Sequence, residues 1–176
     1  QIPQGTSIAL IGKSGSGKST LVNLLLGQLA PSSGKITVDG RNIFSNLRGW
    51  QNLISYLPQS ITVMDASVTH NVAFGVEDAD IDHKRVDWSI REAQLEDLVA
   101  QLPNGKNTPL GDQGERISGG QRQRIGIARA LYHDRRVLVM DEATSALDEE
   151  TEKAVKGSIK RLKGKITVIM ITHHLN

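Results

Sequence analysis

Four short runs of hydrophobic residues along the chain have the length of β-strands. They are mostly apolar rather than strictly alternating, which is typical of strands covered on both faces of a parallel sheet. The runs are 7–11, 54–57, 137–140 and 166–171. A shorter run at 35–38, followed by Asp39 and Gly40, predicts a strand that ends in a tight turn.

The segments between these runs have helical patterns. Residues 20–29 carry apolar side chains around most of a helix, so we expect this helix to be well buried. Residues 68–102 have a polar, helical pattern, in which 92–102 (EAQLEDLVAQL) is the clearest amphipathic stretch, and further helices are predicted at 120–131 and 149–162. Because strands alternate with helices, we predict an α/β protein with a parallel sheet and an inserted helical segment.

Composition narrows the class of protein without assigning an activity. The 176 residues are 38% hydrophobic and 23% charged, which is typical of one globular domain with its own core. Basic and acidic residues nearly balance, 21 against 19, so electrostatics gives no reason to expect a nucleic-acid partner. The lack of cysteine excludes disulfides and thiolate metal sites. No apolar run approaches the roughly 20 residues of a membrane-spanning helix, and both ends lie so close to predicted strands that we expect a piece of a longer protein.

A glycine-rich segment follows the first predicted strand. It reads GKSGSGKS from Gly12 to Ser19 and fits the phosphate-binding pattern G-x-x-x-x-G-K-[ST] between a strand and a helix. Backbone N–H groups would surround the phosphates, Lys18 would reach the β- and γ-phosphates, and Ser19 would ligate Mg²⁺. The alternative is a flexible glycine–serine turn, which the context disfavours. The predicted nucleotide-binding residues here are Gly12, Ser14, Gly15, Ser16, Gly17, Lys18, Ser19 and Thr20.

Two adjacent acids end the apolar run 137–140. Asp141 is predicted to hold Mg²⁺, which proteins usually bind through one or two carboxylates together with phosphate oxygens and waters. Adjacent residues of an extended chain point in different directions, so Glu142 is left free to orient and deprotonate an attacking water as a catalytic base. Alone, the two acids would suit a solvated strand end. Their place after a phosphate loop and a buried strand favours chemistry.

A second anion site is predicted far from the first in sequence. In RISGGQR, Ser118 is placed as the N-cap of the following helix, and Gly119 and Gly120 leave the first N–H groups of that helix uncovered. One loop already surrounds a nucleotide, so this second site suits a nucleotide held by another chain, although spacing alone does not establish it. The arginines of the helix are expected to face solvent or nucleotide rather than nucleic acid, and they are Arg122, Arg124 and Arg129.

Three segments together resemble the ATP-binding-cassette (ABC) nucleotide-binding domain. They are the glycine-rich loop, ISGGQRQRIGIARAL at 117–131 and VLVMDEATSALD at 137–148, in the family's order. The resemblance implies a P-loop NTPase (RecA-like) core in residues 1–58 and 135–176, truncated at both ends, with a helical subdomain in 59–134. It also implies two such domains paired head to tail around two ATP molecules with Mg²⁺. Each ATP would lie between the loop of one domain and Ser118, Gly119, Gly120 and Gln121 of the other.

Three further residues match positions with roles in this family. Gln59 resembles the catalytic glutamine that contacts Mg²⁺ and water and senses the transmembrane partner. Asp148 resembles the acid that couples the two nucleotide sites. His173 resembles the catalytic switch histidine near the γ-phosphate. Each also has a plainer interpretation, as a polar loop residue, a helix N-cap and a histidine at a strand end. Their place in the ordered set of motifs favours the family roles, and for Asp148 the two interpretations are compatible.

The segment before the SGGQ motif indicates the type of ABC protein. Residues 108–115 (TPLGDQGE) resemble the acidic loop that contacts transmembrane domains in exporters, although Pro109 and Asp112 depart from its commonest form. We therefore expect the ATPase of an exporter, at the cytoplasmic face of a membrane, with transmembrane domains as partners and no nucleic acid. A soluble cassette acting on ribosomes or DNA, an importer cassette and a cassette that binds ATP without hydrolysis stay open as alternatives. The Asn-Lys-x-Asp pattern of guanine-specific GTPases is absent, which leaves ATP as the family's nucleotide.

Overall fold

A computed structural model of the chain describes residues 1–13, 15–142 and 147–172. Its strands are β1 Ser7–Ile11, β2 Thr37–Val38, β3 Arg41–Asn42, β4 Ile54–Leu57, β5 Val137–Asp141 and β6 Thr167–Thr172. β1, β6, β5 and β4 form a parallel sheet in that order, and β2 pairs with β3 as a separate antiparallel hairpin. The hairpin turns at Asp39 and Gly40, which both have a positive φ (49° and 79°), as a tight two-residue turn requires.

Helices make up most of the remaining regular structure. They are α1 Lys18–Leu25, α2 Leu47–Gln51, α3 Val68–Val72, α4 His83–Glu92, α5 Glu96–Gln101, α6 Gly119–Tyr132 and α7 Glu149–Arg161. Short 3₁₀ turns interrupt the loops at Ile43–Ser45, Asp78–Asp80, Gly105–Asn107 and Asp112–Gly114. Within the described part of the chain, none of the helices combines the length and apolarity needed to cross a bilayer.

The predicted main strands are confirmed at nearly the same residues, and so is the α/β class. β5 lies between β4 and β6, and its Leu138, Val139 and Met140 are buried, as expected of a strand covered on both faces. Because the four strands are parallel, the segments that follow their carboxyl ends meet at one edge of the sheet, where open α/β sheets bind ligands. The glycine-rich loop after β1 and the acids at the end of β5 share this edge.

The first helix is shorter and less buried than its sequence predicts. Gly27, at a φ of 69°, closes the helix with the backbone hydrogen bonds of a Schellman motif, so the predicted helix 20–29 stops early. Within α1 only Val22 is buried, and Leu21 is 43% exposed. The helix packs one face on the sheet through Val22 and the partly buried Leu25, and Leu21 lies outside that contact.

The amphipathic stretch 92–102 is helical only in part, because α5 covers Glu96–Gln101 and a turn separates it from α4. α4 ends at Glu92, and Gln94 takes a left-handed φ of 57° while the N–H of Leu95 donates to the carbonyl of Ile90 at 3.0 Å. Leu95 is fully buried and anchors the turn. The apolar periodicity continues across the break, so the pattern alone does not reveal it.

Two hydrophobic clusters cover the two faces of the sheet. The smaller lies between α1 and the sheet and consists of Val22, Leu26, Val139, Ile169 and Ile171. The larger starts at Leu138 and Met140 on the opposite face and continues through α6 and α7 to α3, α4 and α5. The helical region thus shares its core with the sheet. The division into a core at 1–58 and 135–176 and a subdomain at 59–134 stays a prediction.

Gly126 of α6 lies tightly against the segment that follows β4. A Cβ at this position would come within 2.5 Å of Ile61 Cδ1 and 2.8 Å of Leu57 Cδ1, so an alanine must displace them. We expect Gly126→Ala to lower the free energy of unfolding, because overpacking costs about 1–3 kcal/mol and outweighs the roughly 1 kcal/mol of helix propensity that alanine gains. Denaturant unfolding measures the difference.

Gly157 of α7 provides the matched control for this substitution. Among the described residues, a Cβ there meets only Arg161 Nη1, at 3.9 Å. Gly157→Ala should therefore keep the propensity gain and stabilise the protein by about 1 kcal/mol. If both alanine variants were equally stabilised, the close contact between α6 and residues 57–61 would be wrong.

Candidate nucleotide site

The glycine-rich segment joins β1 to α1 at the carboxyl edge of the sheet. Gly15 and Gly17 have φ angles of 76° and 90°, which residues with a side chain rarely adopt. A Cβ on Gly12 would come within 2.7 Å of Ser16 Oγ, so this position also has no room for a larger residue. The segment is a tight turn that leads directly into a helix N-terminus. Ser14, also predicted to bind nucleotide, lies outside the described residues.

Lys18 closes this turn with its side chain. Its Nζ donates to the carbonyl oxygen of Gly12 at 2.6 Å and to that of Lys13 at 2.9 Å. The ammonium therefore lies against the loop, at the N-terminal end of α1, where the helix dipole adds positive potential. Ser19 and Thr20 follow in the first turn of the helix and are exposed.

These residues fit the phosphates of a nucleotide bound with Mg²⁺. Left-handed glycines allow backbone N–H groups to surround an anion, and the Lys18 ammonium and the start of α1 supply positive charge. The exposed Ser19 hydroxyl is the hard oxygen ligand that Mg²⁺ prefers.

Asp141 ends β5 at the same edge and is bound by a tyrosine. In the parallel register Tyr56 of β4 pairs with Val139, so Tyr56 and Asp141 lie on one face of the sheet. The Tyr56 hydroxyl donates a hydrogen bond to the Asp141 carboxylate. Burial, together with this negative charge, raises the pKa of Tyr56. The sequence analysis did not identify Tyr56, whose only signal is a polar-tipped aromatic near a strand end.

Glu142 is bound by two glutamines. Gln59 Nε2 donates to Glu142 Oε2 at 3.2 Å, and the buried Gln123 of α6 donates from Nε2 to the Glu142 carbonyl at 3.5 Å. The backbone of Glu142 has a φ of 49°, and its N–H donates to the Ile171 carbonyl at 3.1 Å. The structure thus brings together two of the predicted catalytic residues, Gln59 and Glu142. Gln123 was not predicted, because a glutamine in a helix gives no signal of its own.

Ser118 is the N-cap of α6, as predicted. Its Oγ accepts the N–H of Gln121 at 3.2 Å, and Gln121 Oε1 accepts the N–H of Ser118 at 2.8 Å, which is a reciprocal capping box. One of the first N–H groups of the helix is therefore engaged by the cap rather than left uncovered. Gly119 and Gly120 come next and place no side chain over the helix end.

Asp148 is the N-cap of α7. Its carboxylate accepts the N–H of Thr151 at 2.9 Å, and hydrogen bonding from Thr151 lowers the pKa of this exposed acid. The capping interpretation is confirmed, and a role between two nucleotide sites stays a prediction. His173 lies outside the described residues, so the structure does not bear on its predicted role.

The expectation for the arginines of α6 is wrong. They are half-buried and bind the chain's own backbone instead of facing solvent or nucleotide. Arg122 donates to the carbonyl oxygens of Gly114 and Ile117. Arg124 donates to that of Gln94. Arg129 donates to those of Asn71 and Thr62. The helix is surrounded by loops whose carbonyls need donors, and a helical pattern does not show which loops fold against it.

Comparisons with known proteins place the chain in a family. The model of the ABC transporter family matches residues 1–145. ATP-dependent lipid A-core flippases of Cupriavidus pinatubonensis and of a Polaromonas species are 43% and 44% identical to the chain, over 100% and 99% of its length and 30% and 29% of theirs. The structure of a bacterial Atm1-family ABC exporter with ATP bound matches 98% of the chain and 30% of its own, with a TM-score of 0.91 and 32% identity.

The agreement extends from the order of the motifs to the fold. The parallel sheet and the glycine-rich loop match the P-loop NTPase core of that exporter structure over almost the entire chain. The chain spans about 30% of the length of the relatives it matches. It therefore belongs to the ABC transporter family, of which it is a nucleotide-binding domain.

Proposed function

We propose that the chain binds ATP with Mg²⁺ and hydrolyses it to drive export, as the cytoplasmic part of a larger membrane transporter. The observation that carries the proposal is the pair of acids at the end of β5, Asp141 bound by Tyr56 and Glu142 bound by Gln59, at the sheet edge that also carries the phosphate loop. A phosphate loop, a metal carboxylate and a separately oriented base are what transfer of a phosphoryl group to water requires. The relatives are ATP-dependent flippases by name, which supports the same nucleotide.

In the proposed reaction a water attacks the γ-phosphorus of ATP, the bond from that phosphorus to the β,γ-bridging oxygen breaks, and ADP leaves. Glu142 accepts the proton of the water, and Gln59, hydrogen-bonded to its carboxylate, orients both. Lys18 and the N-terminus of α1 stabilise the negative charge on the phosphates. Mg²⁺, held by Ser19, Asp141 and Gln59, would neutralise charge on the phosphate oxygens.

The second anion site leads us to propose that two domains act as a head-to-tail pair. Ser118 caps α6 at a point about a hundred residues from Lys18, and one phosphate loop already serves one nucleotide. Each ATP would then lie between the loop of one domain and residues 118–121 of the partner. Asp148 would couple the two pockets, and His173 would approach the γ-phosphate.

We propose that a groove after β4 receives the transmembrane domains. The groove has a volume of about 460 Å³ and is lined by Tyr56, Ile61, Phe74, Arg129 and His133, among others. Phe74 is 44% exposed, which suits an apolar partner segment. About 70% of the length of each relative lies outside the matched part. We propose that the segment that binds in the groove, and the residues that contact the exported substrate, belong to that part.

The loop 108–115 lies close to the element that presents Phe74. Pro109 forms a bridge with Ser67 at the start of α3, and the N–H of Leu110 donates to the Ala66 carbonyl at 3.1 Å. Phe74 follows the other end of the same short helix. The loop is therefore held on the helix that leads to the groove, which supports its proposed contact with transmembrane domains.

Two inactive variants should complement each other if the pockets are shared. Lys18→Ala removes the cation of the loop, and Ser118→Glu places a negative charge at the second anion site. In a mixed dimer one pocket combines the intact loop of one subunit with the intact SGGQ segment of the other. Coexpression at equal levels should restore about a quarter of the wild-type ATPase rate, because half of the dimers are mixed and each has one of two pockets intact.

The measurement is the ATPase rate of the whole transporter, with each variant alone as reference. Ser33→Glu, at an exposed position in the loop after α1, is the matched control and should leave the rate unchanged. Coexpressed variants that stay as inactive as each variant alone would refute the shared pocket. So would a fully active Ser118→Glu transporter.

A further inference from the structure

Arg129 of α6 connects three segments through its guanidinium group. Nε donates to the Asn71 carbonyl at 2.8 Å, and Nη2 donates to the Thr62 carbonyl at 3.2 Å and to Asn71 Oδ1 at 3.3 Å. The ring centre of Phe74 lies 4.8 Å from Arg129 Cζ, within the range of a cation–π contact. One side chain thus binds the segment after Gln59, helix α3 and the exposed aromatic of the groove.

Asn71 extends this network into a buried turn. Its side chain has no solvent exposure, and the two N–H groups of Nδ2 are shared among the carbonyls of Met64, Ala66 and Ser67, at 3.0, 3.1 and 3.1 Å. Asn71 Oδ1 accepts the N–H of Met64 at 2.9 Å. A buried amide is costly unless its donors and acceptor are satisfied, and here one turn satisfies them all. Asn71 therefore shapes residues 64–67, and Arg129 holds Asn71 on α6.

The segment between Gln59 and this turn is also fixed on α6. Ile61 packs against Gly126, one turn before Arg129, at a distance that leaves no room for a Cβ. Thr62 is bound by Arg129 itself. Gln59 lies only two residues before Ile61, and its Nε2 donates to Glu142 at 3.2 Å. The position of Gln59 beside Glu142 is therefore fixed to α6 through a very short length of chain.

We propose that Arg129 is a positioning residue for hydrolysis, which holds residues 61–64 on α6 and thereby sets Gln59 against Glu142. Because Arg129 stacks on Phe74, it also links the contact between Gln59 and Glu142 to the groove after β4. The inference rests on the proposed function, because it concerns the same site. A planar fork with five donors can bind two carbonyls and an amide oxygen at once, which a lysine cannot.

The test compares Arg129→Met and Arg129→Lys in the whole transporter by two readouts. Without nucleotide, hydrogen exchange of the amides in residues 60–66, including the N–H of Met64, should be about tenfold faster in Arg129→Met than in the wild type. Arg129→Lys should be intermediate, because its donors all lie on a single nitrogen and cannot reach all three acceptors. The kcat for ATP should fall about tenfold in Arg129→Met with KM within about twofold, since Gln59 acts on the chemical step.

Arg85 of α4 is the matched control. It donates to the carbonyls of Leu131 and Tyr132 at the C-terminal end of α6, pairs with Asp134 at 3.0 Å and lies 5.4 Å from the ring of Trp88, so it too combines backbone hydrogen bonds with a cation–π contact, but it does not contact residues 61–64. Arg85→Met should lower the unfolding temperature about as much as Arg129→Met does. It should leave the exchange of residues 60–66 and the kcat at the wild-type values.

Three results would overturn the proposal. They are wild-type exchange of residues 60–66 in Arg129→Met, equal acceleration in Arg85→Met, and an unchanged kcat despite faster exchange. Because exchange is measured without nucleotide, a wild-type transporter that failed to hydrolyse ATP would refute the proposed function. The exchange comparison would still decide whether Arg129 fixes this segment.

Discussion

Glu142→Gln should slow ATP hydrolysis by about 10²–10⁴-fold, the usual contribution of a general base. Glutamine has the shape of glutamate but cannot take the proton of the attacking water. Its Oε1 can still accept the hydrogen bond from Gln59 Nε2, which now reaches Glu142 Oε2 at 3.2 Å. The substitution thus removes the base and leaves the site in place, so ATP affinity should change by less than about threefold. Steady-state hydrolysis and equilibrium ATP binding measure the two effects.

Glu149→Gln is the control for the lost charge. Glu149 is an exposed acid in the first turn of α7, and its neutralisation should change hydrolysis by less than about twofold.

ATP-bound, closed dimers should also accumulate in Glu142→Gln, because the nucleotide is not turned over, and size-exclusion chromatography detects them. Wild-type turnover in Glu142→Gln would remove Glu142 from the proposed role.

Lys18→Ala should weaken ATP binding by between about 30-fold and a few thousandfold, which corresponds to about 2–5 kcal/mol. The Lys18 ammonium lies at the N-terminal end of α1, where the phosphates are expected, and there it would form charge-assisted hydrogen bonds. It also donates to the carbonyls of Gly12 and Lys13, so its removal takes two hydrogen bonds from the loop. Isothermal titration with ATP and Mg²⁺ gives the affinity directly.

Lys35→Ala tests whether any lysine would have the same effect. Lys35 is exposed and precedes β2, away from the loop in sequence. Its substitution should leave the affinity for ATP within about twofold, because a single exposed charge acts weakly through water. Tight ATP binding by Lys18→Ala would contradict the assignment of residues 12–19 as the phosphate loop.

The regular part of the fold could be predicted because it depends on local pattern. Apolar runs such as 137–140 are long enough for a strand and too short for a helix, and the structure has β5 there. Helix ends were less predictable. Gly27 and Gln94 both close helices in the left-handed conformation. Glycine gives a signal for this, which the prediction of 20–29 did not use, but glutamine gives none.

In the candidate site, too, residues in local motifs could be predicted and residues that act through distant contacts could not. Ser118, Lys18 and Glu142 belong to contiguous motifs whose geometry is local, so sequence identified them. Tyr56 and Arg129 act through partners far away in the chain, Asp141 for the tyrosine and Asn71 for the arginine. Such contacts follow from which strand lies beside β5 and which loop folds on α6, and neither can be derived from local periodicity.

Because the backbone of Glu142 is left-handed, thermostability and activity favour different residues at position 142. A residue with a side chain loses roughly 1–2 kcal/mol in this conformation, whereas glycine adopts it freely, and the φ of Glu142 is 49°. Folding alone would favour glycine at this place. A screen for heat resistance should therefore tend to select glycine at position 142, which would remove the proposed catalytic base.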